Sequence, residues 1–253
     1  MSTWTGVWLT VALLLAPRLA GARGRASNEE VSGIRLVLWW INRLYALVWH
    51  RLRVEGEVAL PTRGAAILIA NHTSGADACL LQASVRRRLG FMINRDMYDY
   101  WLFHWMCVLT GCIPVDRGGR ELSSTRAALE ALRSGHILPI FPEGVIVPTS
   151  GREFGEVRPG VAFLALRSRV PVVPAYISGT PETTKIVPAL LTPTRSRIVF
   201  GPPVDLSEFL DPHEGPPQRD AIDAAAVRLM EAIKNLRDER SGAESEPIRH
   251  QAG

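Results

Sequence analysis

The stretch Ala65-Ala66-Ile67-Leu68-Ile69-Ala70-Asn71-His72-Thr73-Ser74-Gly75-Ala76-Asp77 decides how this chain is read. Its first six residues form an unbroken apolar run, the pattern of a strand buried on both faces. Such strands belong to open α/β sheets, which collect their chemistry beyond the carboxyl ends of the strands. His72 stands at that end. Thr73-Ser74-Gly75 reads as a turn into a helix whose first turn holds Asp77, where a carboxylate is favoured by the helix dipole. Asp77 can then fold back onto one imidazole nitrogen and leave the other as a proton acceptor.

Outward from this stretch, strand-like and helix-like patterns alternate. Strands are expected at Ala65–Ala70, Phe91–Asn94, Cys112–Val115, Ile137–Phe141, Val170–Ile177 and Arg197–Phe200. Helices are expected over Asp77–Leu89, Asp99–Leu109, Arg120–Ser134, Pro159–Ser168 and from Arg219 to about Arg237. The alternation predicts an α/β fold with a mostly parallel central sheet flanked by helices. Pro181, Pro188 and Pro193 read as an irregular crossing loop before the last strand. With 253 residues and 47% apolar side chains, the chain can build one sizeable core. The expected organisation is a membrane-associated helical element over 1–53, a catalytic domain over 54–240 and a polar tail over 241–253.

The N-terminal fifth carries two apolar segments. Trp4–Ala16 would make a helix about 20 Å long, too short for the roughly 30 Å hydrocarbon core. It reads either as a surface anchor retained by Arg18, Arg23 and Arg25 or as a cleaved signal segment ending near Ala20-Gly21-Ala22. In Ile34–Arg53, the residues Arg35, Asn42, Arg43, His50 and Arg53 share about a third of a helical wheel. The remainder is aliphatic and aromatic, with Trp39, Trp40 and Trp49. A polar arginine stripe beside tryptophans is the signature of a helix lying in a membrane interface, the stripe toward head groups and the indoles toward the acyl boundary. A helix packed on the protein's own core is the alternative. The net charge of +4 suits a membrane surface or an acidic substrate, and the scattered arginines form no nucleic-acid footprint.

Three further stretches carry chemistry. In Gly111-Cys112-Ile113-Pro114-Val115-Asp116-Arg117-Gly118-Gly119, Arg117 ends a short strand beside flexible backbone N–H groups, a setting for a phosphate. In Ile140-Phe141-Pro142-Glu143-Gly144, Glu143 is placed to receive a substrate hydroxyl, and Gly144 permits close approach to the backbone. Val170-Pro171-Val172-Val173-Pro174 is an apolar strand whose prolines suggest a sheet edge. Cys79, Cys107 and Cys112 have no metal-ligand spacing and read as small core residues, so neither zinc nor a disulfide framework is expected.

Asn71-His72-x4-Asp77, Gly111-x-Ile113-Pro114-Val115-Asp116-Arg117, Phe141-Pro142-Glu143-Gly144 and Val170-Pro171-Val172-Val173-Pro174 together resemble, in this order, the four motif blocks of the glycerolipid acyltransferase family. Lysophosphatidic acid acyltransferases are its best-known members. The resemblance implies that His72, oriented by Asp77, deprotonates a lysophospholipid hydroxyl, which attacks a fatty acyl thioester carried by coenzyme A or acyl carrier protein. It implies that Arg117 holds the acceptor phosphate, that Glu143 and Gly144 line the acceptor site, and that no metal or resident cofactor takes part. It also implies docking to membrane lipids at the cytoplasmic face through the N-terminal helices.

One departure matters: where family members commonly continue with Thr-Arg-Ser, this chain has Val145-Ile146-Val147. Arg152 or Arg158 then stands in for the missing arginine, or the acceptor is a lysolipid with another head group, such as an amino-acid lipid. A hydrolase lacks a Gly-x-Ser-x-Gly elbow here. A non-catalytic lipid-binding protein would have no use for the polar residues of the motifs together.

Overall fold

The computed structural model describes residues 33–115, 121–146, 153–181, 183–211 and 215–245. Strand β1 (Arg53–Glu55), β2 (Ala66–Ala70), β5 (Ile137–Ile140), β6 (Val172–Ser178) and β7 (Arg197–Phe200) form a sheet in the order β1-β7-β6-β2-β5. Neighbours run parallel except β6 and β7. The sheet is thus mostly parallel, as the apolar runs predict, with one antiparallel step. β3 (Met92–Asn94) and β4 (Ile113–Val115) pair separately, and Gly90 N–H ties them to the β5 edge through the Ile137 carbonyl at 2.8 Å.

Burial follows the two-residue period of a strand. Leu68 and Ala70 of β2 enter one core with Val173, Ala175 and Ile177 of β6. Ile67 and Ile69 enter the core on the opposite face with Val172 and Tyr176. The first core also takes residues of α1 (Ile34–Val48), α2 (Asp77–Ser84) and α7 (Ile186–Leu191). The second takes residues of α5 (Glu121–Arg133), α6 (Gly160–Ser168) and α8 (Arg219–Ser245). Between β3 and β4 lie α3 (Arg95–Tyr98) and α4 (Trp101–Thr110). Ile67, Leu68 and Ile69 are fully buried, which stabilises the fold by about 1.5–3 kcal/mol per side chain. Every position of β2, the strand that delivers His72 and that lies between β6 and β5, is buried.

The structure departs from the sequence expectations at several places, each with a local cause. β6 is central despite its prolines. The Pro174 carbonyl accepts from Gly201 N–H at 2.9 Å, so its donor-less nitrogen faces the segment beyond the end of β7, where ladder pairing has ceased. The expected helix over Asp77–Leu89 ends at Ser84, where Val85 turns extended. There the Gln82 side chain accepts from Leu89 N–H and donates to the Arg87 carbonyl. Within the expected crossing loop, Ile186–Leu191 is helical. The last helix runs on to Ser245, into the expected tail.

The helix expected over Ile34–Arg53 stops at Val48, and Arg53 already belongs to β1, so the expected boundary at 53 falls inside a strand of the sheet. Its orientation is also reversed. The middle of the polar stripe faces the protein, though Arg35 is exposed: Asn42 donates to the Cys79 carbonyl and Arg43 to the Ala83 carbonyl, at 2.8 and 2.6 Å. Trp39 is buried, its indole N–H shared between the carbonyls of Val85 (2.7 Å) and Gln82 (3.0 Å). Helix α2 ends with carbonyls that lack intrahelical donors, and the α1 stripe supplies them, with a cation at the negative end of the dipole. The aliphatic face, with Ile34, Val37, Ile41, Leu44 and Val48, is left exposed beside Trp40 and Trp49.

His50, just after α1, is fully buried between the Tyr45 hydroxyl (2.9 Å) and the Thr194 hydroxyl (2.8 Å). Tyr45 spends its proton on the Leu190 carbonyl, so His50 Nε2 carries hydrogen and Nδ1 accepts from Thr194. Burial pushes the Tyr45 phenol up to about 12 and holds the His50 imidazole below its ordinary 6.5. The unfolded chain therefore binds this proton at a higher pH than the folded one, and stability falls as pH drops through 6.5. Thermal unfolding measured against pH should show this loss, and His50→Gln should flatten the dependence. An equally steep dependence in the variant would remove His50 from the account.

Candidate functional site

The site is built where β2 ends. Beyond Ala70 the backbone leaves the sheet, and the Asn71 carboxamide takes over the ladder to β6. It donates to the Ile177 carbonyl at 2.9 Å and accepts from Ile177 N–H at 2.7 Å. The point from which His72 projects is fixed from both sides of a buried amide.

The His72 ring is held by two contacts. Its Nδ1 lies 2.9 Å from Asp77 Oδ2, and its face stacks on Phe141 at a centroid distance of 4.0 Å and 8° between planes. Asp77 is completely buried, whereas the His72 side chain is 20% exposed. Its carboxylate accepts more than the imidazole: Oδ2 also takes the Thr73 N–H (2.6 Å) and the Ser74 N–H (2.9 Å), and Oδ1 takes the Thr73 hydroxyl (2.9 Å). A buried carboxylate is tolerable only when so satisfied. Because it can only accept, Nδ1 must be the protonated nitrogen, which leaves Nε2 as the basic atom of the accessible ring. The structure thus brings His72 and Asp77 together within hydrogen-bond distance.

Two groups in this network were not singled out in the sequence. The sequence marks Thr73 only as a turn residue, yet its hydroxyl joins Asp77 to Thr180, whose own hydroxyl donates to it at 2.7 Å. That donation forces the Thr73 proton toward Asp77. Thr180 lies 107 residues from Thr73, and only the topology, which puts the end of β6 beside the end of β2, brings them together. Gly75 is equally constrained: a Cβ there would come within 2.8 Å of Ile186 Cα, so the turn packs against the backbone of α7.

Glu143 has partners that the sequence does not display. It is buried, and its two carboxylate oxygens accept from His72 N–H (3.2 Å) and Gly155 N–H (3.0 Å). Burial pushes its carboxyl above the ordinary carboxylate range, opposed by those two backbone donors. In this arrangement it braces the backbone of the histidine and closes the loop from β5 to α6. A hydroxyl ligand would have to share these oxygens with the two backbone donors. Gly144 adopts φ +74, and a Cβ there would strike Nε of Arg158 at 2.7 Å. Arg158 is therefore packed across the turn that follows Glu143, while Val145 is exposed. Arg117 and Arg152 lie outside the described residues. Among the described residues, no group of three or more His, Cys, Asp or Glu side chains is placed to hold a metal ion, and no helix is long and apolar enough to cross a membrane.

Residues 51–178 match the profile of the family described as Acyltransferase. The 1-acyl-sn-glycerol-3-phosphate acyltransferase of Streptococcus pneumoniae is 25% identical over 175 residues, covering 68% of this chain and 61% of that protein. A probable enzyme of the same name from Mycoplasma pneumoniae is 33% identical over 180 residues, covering 66% of each. This chain thus spans 61% and 66% of these relatives' lengths, less than two thirds of each. Among solved structures, the 1-acyl-sn-glycerophosphate (LPA) acyltransferase PlsC from Thermotoga maritima aligns with a TM-score of 0.62 and 20% identity. That alignment covers 92% of this chain and 89% of the other, so the fold is shared.

The Glu143 brace makes its own forecast. Glu143→Gln keeps the shape but turns an NH2 toward one of two buried backbone donors, a loss of about 1–3 kcal/mol. Chemical denaturation should register it, and turnover should fall with acceptor KM little changed. A raised acceptor KM at unaltered stability would instead make Glu143 a substrate ligand.

Proposed function

As a member of the acyltransferase family, this chain, we propose, transfers a fatty acyl group from an acyl thioester to the hydroxyl of a lysophospholipid, with lysophosphatidic acid as the favoured acceptor. The observation that carries this reading is the His72–Asp77 pair, with Nδ1 engaged by a buried carboxylate and Nε2 left basic. His72 Nε2 takes the proton of the acceptor hydroxyl as its oxygen attacks the thioester carbonyl. The C–S bond breaks as the new ester C–O bond forms, and the imidazolium returns its proton to the departing thiolate. Asp77 stabilises the imidazolium without itself becoming protonated. Coenzyme A and acyl carrier protein are both acceptable carriers for the donor, and no resident cofactor enters the step.

Lysophosphatidic acid is favoured because two relatives bear that activity in their names and because Arg117 sits in the matching second block. Exposed Val145 where the family carries polar residues, and Arg158 across Gly144, support a second reading in which the head group is another one. Membrane lipids are the proposed setting. The unpartnered aliphatic face of α1, flanked by Trp40 and Trp49, suits the boundary between head groups and acyl chains. The buried stripe below it anchors the helix to the catalytic body.

His72→Ala should lower turnover about 10²–10⁴-fold with the fold intact. The assay is thiol release from an acyl thioester, first alone and then with lysolipid. Release that needs no acceptor would mark a hydrolase, and near-normal transfer by the variant would end the mechanism. With lysophosphatidic acid as acceptor, Arg117→Ala should raise acceptor KM through loss of a charge-assisted fork worth about 1.5–3 kcal/mol. Arg117→Lys should recover only part of it. An unchanged KM would leave the phosphate without its proposed partner.

A further inference from the structure

We infer that the short helix α7 is a second contact with the lipid bilayer, forming one surface with α1 and bringing that surface to the lip of the His72 turn. This rests on the acyl-transfer reading and extends it to a segment that no motif covers. Helix α7 has the sequence Ile-Val-Pro-Ala-Leu-Leu, and only Ala189 is fully buried. Val187 and Leu191 stand 60% and 67% exposed, and Ile186 is 38% exposed. Two large aliphatic side chains more than half exposed on six residues are costly in water unless something covers them.

Three observations point to lipid as the cover. The first is continuity with the exposed face of α1. The Tyr45 hydroxyl of α1 donates to the Leu190 carbonyl of α7, and Trp49 and His50 accept through their carbonyls from Thr194 N–H (3.3 Å) and Ser196 N–H (2.9 Å). The two helices are therefore joined at the end where Val48 and Trp49 are exposed. The second is charge. Exposed Lys185 precedes α7, exposed Arg195 follows it, and exposed Arg51 follows α1. Cations around an aliphatic and indole patch match anionic head groups over an acyl layer. The third is position. Ile186 packs its backbone on Gly75 in the turn between His72 and Asp77, so lipid against α7 lies next to the reacting histidine. An acceptor then reaches the site from the bilayer without its chain crossing water.

The test uses the full chain with a single environment-sensitive fluorophore attached at Val187→Cys, at Leu44→Cys on α1, or at Val227→Cys on α8. The unlabelled-site chain corrects for Cys79, Cys107 and Cys112. Vesicles of phosphatidylcholine and phosphatidylglycerol carry a nitroxide on the acyl chain. Quenching at 187 and 44 but not at 227 is expected. Val187→Glu with Leu191→Glu should weaken vesicle binding about tenfold or more, given the burial value of two aliphatic side chains. Quenching at 44 without quenching at 187 would overturn the role of α7 and leave α1 docking standing. No quenching at either position would overturn both. A blue shift at 187 that grows with protein concentration in plain buffer would put a second copy there instead and likewise overturn it. Thiol release with a water-soluble acceptor reads the His72 chemistry separately from all of these.

Discussion

The carboxylate of Asp77 is the point on which the site depends. It is fully buried, and a buried charge survives only if its acceptor capacity is used. Here the Thr73 and Ser74 N–H groups, the Thr73 hydroxyl and the His72 imidazole use it. The first two are turn donors just before α2, so the same anion shapes the turn, sits in the helix's first turn where the dipole favours it, and selects the histidine tautomer. Thr180 then fixes the direction of the Thr73 proton, and Glu143 and Asn71 hold the backbone on either side. Removing the charge would loosen a turn and a base at once.

The second organising constraint is the seat of α1. A helix with a narrow polar stripe usually turns that stripe to water. Here Asn42 and Arg43 of the stripe, with the neighbouring Trp39 indole, take up carbonyls of α2, and the broad apolar face is what the molecule presents outward. Burial of Trp39 takes it out of the set of three tryptophans expected at a bilayer, leaving Trp40 and Trp49 exposed. Helix α2 begins with Asp77 and ends under α1. One short helix therefore links the Asp77 carboxylate to the surface proposed to face lipid.

Much of this was legible in the sequence. The run Ala66–Ala70 announces a central strand because every position is apolar, and its side chains do divide between two cores. The spacing from His72 to Asp77 announces the pair because the intervening turn is short and polar. What escaped were facts of topology. Pro174 looked like an edge residue because a sequence does not display where a neighbouring strand ends, and β7 stops just short of it. Periodicity placed Asn42 and Arg43 on one face of α1, but it ran the helix past Val48 to His50 and Arg53, and it cannot say whether water or another helix's free carbonyls will satisfy that face. A strand-end position suggests a ligand role for Glu143 but does not display its backbone partners, which come from His72 and from Gly155, beyond a loop. Thr180 carries no local signal at all.

The most direct measurement is heteronuclear NMR of the His72 ring nitrogens in the neutral imidazole, assigned by comparison with His72→Ala. The account predicts a proton on Nδ1, hydrogen-bonded to Asp77, and a bare Nε2, with Asp77→Asn weakening that preference. A proton on Nε2 in the unsubstituted protein would contradict it, because the accessible nitrogen would then have nothing with which to accept the acceptor's hydroxyl proton.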